Sequence, residues 1–132
     1  MYVRFVPLTE IPESEYEWSL FGAIAHASEL ADVDGYDRSR LEEIETWFRK
    51  NLGHPTRLSR SRKPHSLNEA VCWFKSSASE CIDWVREAVA ILERYEIRLQ
   101  MLTTHQPGYI IYEDEYQIAA VPFRRTSYNV QH

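Results

Sequence analysis

The chain is poor in the residues that break, loosen or staple a fold: four glycines, six prolines and two cysteines in 132 residues. With aromatic residues at 13%, scarce glycine argues against disorder, low complexity and collagen-like repeats. No apolar run approaches the length of a membrane-spanning helix, so none is predicted. The first residues, Met1 to Leu8, lack the charged, apolar and small-residue regions of a signal peptide and read instead as a strand. A cytoplasmic location is the resulting expectation. Cys72 and Cys81 fall in what reads as one helix, on opposite faces and about 13 Å apart along its axis. At that separation they cannot pair, and they are expected to be small buried hydrophobes with free thiols. Glycine-rich phosphate loops, the HExxH pattern and the nucleophile elbow are absent, and nothing in the sequence points to a cofactor or a metal.

What is present describes one ordinary domain. At 44% hydrophobic, with four tryptophans and eight tyrosines, the chain can bury a real core. Tyr2 to Val6 alternate as a strand does. Ser14-Glu15-Tyr16-Glu17 has the form of a capping box and predicts a helix from Ser14 to about Leu30. A second helix is predicted from Arg38 to Leu52, capped by Asp37 and stopped by Gly53 and Pro55. Helical periodicity then runs from Leu67 to Tyr95 on two apolar stripes, with a candidate break at Ser76–Glu80. Beyond Ile97 the period changes to that of strands, over 97–101, 109–112 and 116–121, and Pro107-Gly108 supplies turn chemistry.

The expected order is therefore β-α-α-α-β-β-β. It describes an α+β, two-layer domain over residues 1–123, in which an N-terminal strand and a C-terminal three-stranded meander pack against three helices. Residues 124–132 read as a polar, flexible tail.

Charge is unevenly spread. The net charge is −5, yet residues 51–65 carry +4 with no carboxylate, against −6 before them and −3 after. Arg57, Arg60, Arg62 and Lys63, with His65 beside them, are the candidate site for an anionic partner: an acidic protein, a phosphate-containing ligand or, more weakly, nucleic acid. A solvated connector, or internal pairing with the acidic first helix, is the competing account of the same charges. So few contacts from one loop would bind weakly alone.

Other constellations carry less. Asp32, Asp34 and Glu43 occupy calcium-loop positions, but the sharp turn lacks its glycine, so helix capping explains these carboxylates better. Glu113-Asp114-Glu115 reads as a charged hairpin tip, with Glu113 on the face of Tyr109 and Ile111. Its inward direction would make it a candidate for function. His26, His54, His65, His105 and His132 match no zinc spacing.

A small non-enzymatic binding module is the leading expectation. One alternative is a small enzyme combining the basic loop with His54 or His65 and Glu113. Another is a self-associating structural protein, a homodimer for example, built on exposed tyrosines of a short sheet.

Overall fold

The computed structural model describes residues 1–8, 19–52, 70–123 and 129–131. Its elements run β1 (Tyr2–Pro7), α1 (Leu20–Ser28), α2 (Gly35–Asn51), β2 (Val71–Lys75), α3 (Ser79–Arg94), β3 (Leu99–Thr104), β4 (Tyr109–Glu113), β5 (Gln117–Val121) and β6 (Asn129–Gln131). The class is α+β: an antiparallel sheet with three helices on one face. Among the described residues no helix is long and apolar enough to cross a membrane.

Two strands join those expected. The candidate break at Ser76–Glu80 is real: Ala78 N–H reaches the Lys75 carbonyl at 3.0 Å, and α3 starts at Ser79. On its N-terminal side, however, Val71–Lys75 is a strand in the middle of the sheet rather than a helix. Trp73 and Phe74 are both buried because they point to opposite faces. A strand covered on both sides shows no alternation, so its periodicity cannot be told from that of a buried helix. The two cysteines consequently lie in different elements, Cys81 buried in α3 and Cys72 exposed on β2, both free. The other added strand, β6, lies in the stretch read as a tail and pairs with β3, placing Val130 opposite Leu102.

The first two helices start where side chains satisfy backbone donors, whereas Ala78 ahead of α3 supplies no side-chain cap. Ser19 caps α1 by accepting from Gly22 N–H at 3.0 Å; the Ser14–Glu17 box lies outside the described residues. For α2 the cap is Asp34, which accepts from Tyr36 and Asp37 N–H groups, and the helix begins three residues earlier than predicted. Asp37 has another partner. It is buried and accepts from Arg94 Nη1 at 2.6 Å and Tyr95 Oη at 2.7 Å, tying the start of α2 to the end of α3. Both aspartates suit a cap, and only residues some sixty positions away decide between them.

The strand order is β4-β5-β2-β1-β3-β6. β3 does not neighbour β4, so the C-terminal strands form a hairpin, β4–β5, and a separate strand, not the expected meander. β3 ends at Thr104, level with Tyr2 and Lys75, whereas β4 begins at Tyr109 opposite Val121, at the other end of the strands. Residues 105–108 alone join these diagonal corners. Five Cα steps reach at most about 18 Å, while a flat sheet would separate β3 and β4 by about 19 Å sideways and a strand length besides. The sheet must coil, as stagger and twist do in a barrel.

That coil accounts for two cores. Val3, Phe5 and Phe74 on one face pack with Ile24, Leu41, Ile44, Val85 and Leu92 of the helices. On the other face Trp73, Leu102, Ile118 and Ala120 form a second cluster with Tyr2, Val6 and Val71. The register places Trp73 opposite Ile118 and Val71 opposite Ala120, as one shared face requires.

Candidate functional site

Arg57, Arg60, Arg62, Lys63 and His65 all lie outside the described residues, as does the predicted Gly53–Pro55 stop. The two attachment points of that segment are described. α2 closes with Leu52 N–H on the Phe48 carbonyl at 2.8 Å. The chain rejoins the sheet at Ala70, which packs beside Val121, Tyr112 and Ala119.

At this same corner the sheet presents aromatic surface. Tyr109 lies opposite Val121, and Phe123 follows two residues on. Their rings meet edge to face, with centroids 4.8 Å apart and planes at 77°. Both are open to solvent, Tyr109 at 67% and Phe123 at 40%. Gly108 sets this arrangement. Its φ is +124°, and a Cβ there would lie 2.1 Å from the Val121 carbonyl oxygen, so only glycine lets the chain turn this tightly into Tyr109. Further along the same two strands Tyr112 and Ala119 are buried opposite one another, and exposed Cys72 lies opposite Ala119 on β2. In the sequence Phe123 is followed directly by Arg124 and Arg125.

The acidic hairpin tip stands at the far end of β4 and β5. Register shifts between Ile110 and Tyr112, a bulge that inserts one residue. Glu113 therefore opposes Ile118 while Tyr109 opposes Val121, and the two do not share a face as simple alternation predicts. The Glu113 carboxylate pairs with Lys75 Nζ at 2.6 Å. Asp114 organises the turn: it accepts from Tyr112 Oη at 2.6 Å, the N–H groups of Tyr116 and Gln117 at 2.8 and 2.9 Å, and Gln117 Nε2 at 3.2 Å. Burial alone would raise the Asp114 carboxyl, but these four bonds outweigh it and hold the group below its ordinary range. The Tyr112 hydroxyl is pushed up to about 12, by burial first and then by its bond to Asp114.

Several other polar groups are engaged in the architecture. Trp47 of α2 stacks on Trp84 of α3 with centroids 5.7 Å apart, and Arg40 lies 5.0 Å over Trp84 while bonding Glu43 at 2.6 Å and Glu87 at 2.8 Å. A shallow groove beside them also reaches Glu42 and Lys50. With its arginine held by two glutamates, this seam joins helices. Two of the three calcium-loop carboxylates are likewise occupied, Asp34 as a cap and Glu43 by Arg40. His26 is half-buried on α1 and His105 is exposed after β3, while His54 and His65 fall outside the described residues. Among the described residues no three His, Cys, Asp or Glu side chains gather as metal ligands would. Burial pushes the Cys81 thiol up to about 12, far from a nucleophile's range.

Comparison with protein-family models, curated proteins and solved structures finds no match. The functional reading therefore rests on the molecule's own chemistry. The Tyr109–Phe123 pair escapes sequence reasoning because Tyr109 reads as one more strand residue. The available signal is the pattern Pro107-Gly108-Tyr109 with Pro122-Phe123-Arg124-Arg125: two turn-flanked aromatics, one followed by cations.

Proposed function

We propose that this protein is a small cytoplasmic binding module that engages an anionic partner through the Arg57–Lys63 segment. The supporting observation is where that segment joins the sheet. Ala70 packs beside Val121, at the corner that also carries Tyr109 and Phe123, while the Glu113-Asp114-Glu115 tip lies at the opposite end of the same strands. The attachment point therefore lies at the end of the strands away from one of the protein's acidic clusters, which supports the anionic-partner reading.

One internal competitor exists. Residues 9–18, with Glu10, Glu13, Glu15 and Glu17, leave from β1 at the same end of the sheet. Internal pairing and external capture give opposite results on charge reversal. In an Arg60→Glu/Arg62→Glu/Lys63→Glu variant, retention on heparin should be lost with the melting temperature unchanged. Unchanged retention overturns the proposal, and a lowered melting temperature with no heparin binding by the wild type assigns the cations to internal pairing.

Self-association is favoured by one observation: β4 is an edge strand, with Tyr109 and Ile110 exposed on it. Its bulge and the following acids work against pairing with a second copy, so this reading ranks behind the first. Sedimentation over a concentration series separates them, since a partner-binding monomer keeps one sedimentation coefficient throughout.

A further inference from the structure

We infer that the opening between β1 and β2 is a binding site for a small carboxylic acid with an apolar body, held by Arg4 and Trp73. Every residue it uses is on the sheet, and none belongs to the Arg57–Lys63 segment.

The opening follows from the strand pairing. β1 pairs with β3 from Tyr2 to Pro7, and β2 pairs with β5 from Val71 to Phe74. Between β1 and β2, however, only Tyr2 with Lys75 and Val3 with Phe74 are paired. Beyond that point no ladder joins these two central strands, and the sheet forks along its middle. The fork reaches solvent: Arg4, Val6 and Val71 are half-buried, and Cys72 is exposed although its strand lies between two others.

Two donors without acceptors meet at the closed end of the fork. Arg4 lies opposite Leu102, on the face of the cluster around Trp73, with Tyr2 and Val6 on either side of it along β1. Burial lowers the pKa of its guanidinium, and the Cys72 thiol is what opposes this. Desolvation raises the pKa of that thiol in turn, so at pH 7 it brings no negative charge. Among the described residues no carboxylate pairs with Arg4, whereas Lys75, another cation on this face, is already joined to Glu113 at 2.6 Å. The second donor is Trp73 Nε1–H, buried and without a partner among the described residues. It is covered, but β1 is not bonded to β2 at its level, so the strands can part to let an oxygen reach it. A carboxylate offers two oxygens to these donors and one charge to the guanidinium. Val6, Val71, Leu102 and Ile118 line the same face, which suits an apolar body on that acid. A phosphate dianion would bring charge and oxygens that these walls leave unpaired.

Charge and body can be measured apart by calorimetry on the full chain, with octanoate, octanol and acetate as probes. Wild-type protein should bind octanoate roughly 10- to 150-fold more tightly than octanol, the worth of one charge-assisted hydrogen bond, and acetate more weakly than octanoate. Arg4→Met should remove that preference and leave octanol binding unchanged, and Arg4→Lys should keep part of it. Trp73→Phe should weaken octanoate binding but not octanol binding. Arg49→Met, removing an exposed cation of α2, should change nothing. The Arg60→Glu/Arg62→Glu/Lys63→Glu variant should bind octanoate as wild type does, which separates this site from the basic segment whatever its heparin result. Equal affinity of the wild type for octanoate and octanol, or no saturable octanoate binding, overturns the site without recourse to any variant. Undiminished octanoate binding in a folded Arg4→Met protein, or its loss in the triple reversal, overturns it as well.

Discussion

Asp114 shows how much one side chain does in a short hairpin. Four donors converge on its carboxylate, two from the backbone of the turn and two from side chains. Its lowered pKa carries a signed consequence. A carboxyl held below its unfolded value contributes stability that is full above the ordinary aspartate range, near pH 3.9, and lost as the pH falls through the folded value. Asp114→Ala should cost about 1–2 kcal/mol at pH 7, a figure reduced for the group's partial exposure. Urea titrations should show the gap to wild type narrowing below pH 3.5; a gap independent of pH would remove the charge from the explanation. The three acids of this tip are visible in the sequence as a charged turn. Their division of labour is not, because Glu113 is assigned by Lys75 on another strand and Asp114 by how the turn closes.

Among the elements, the end of α3 is out of keeping with its residue. Ile97 N–H bonds the Leu92 carbonyl at 3.0 Å, closing the helix, and Glu96 between them takes φ = 63°, a region that favours glycine. Glu96 is exposed, and its negative charge sits at the negative end of the helix dipole. Glu96→Gly should therefore stabilise the protein by about 1 kcal/mol, read as a higher urea midpoint with unchanged slope. A lower midpoint would mean that the side chain holds a contact worth more than the backbone strain. Element identity was legible where the pattern is local: the alternation of β1, the apolar stripe of α3 and the turn before β4. β2 was not, since the sheet on its flanks and the two cores above and below are supplied by distant chain. The α2 cap failed for the same reason, with Arg94 and Tyr95 claiming Asp37.

For the whole molecule, the coil of the sheet makes Trp73 the centre of a core that none of the described helices covers. It is 5% exposed, and its Nε1–H is the one buried side-chain polar atom without a partner among the described residues. An unpaired donor is a cost that phenylalanine does not carry, while the cavity left by alanine is a cost that phenylalanine largely avoids. Trp73→Phe should stay within about 1 kcal/mol of wild type, and Trp73→Ala should lose about 3–5 kcal/mol. Comparable losses in the two variants would show that shape at this position matters more than the stranded N–H. The two-layer α+β class could be anticipated from sequence, but not the coil, which follows from the strand order and a four-residue crossing.

The central place of β1 bears on how the protein is made. Tyr2 pairs with Lys75 on one side and Thr104 on the other, so this strand has no neighbour until about seventy residues have followed it, and its second only after about a hundred. Sheet closure then depends on contacts among the most distant in sequence, which slows folding and leaves Val3 and Phe5 exposed during synthesis. On a ribosome this strand waits for its partners, and it is there that an early chaperone would find its handle.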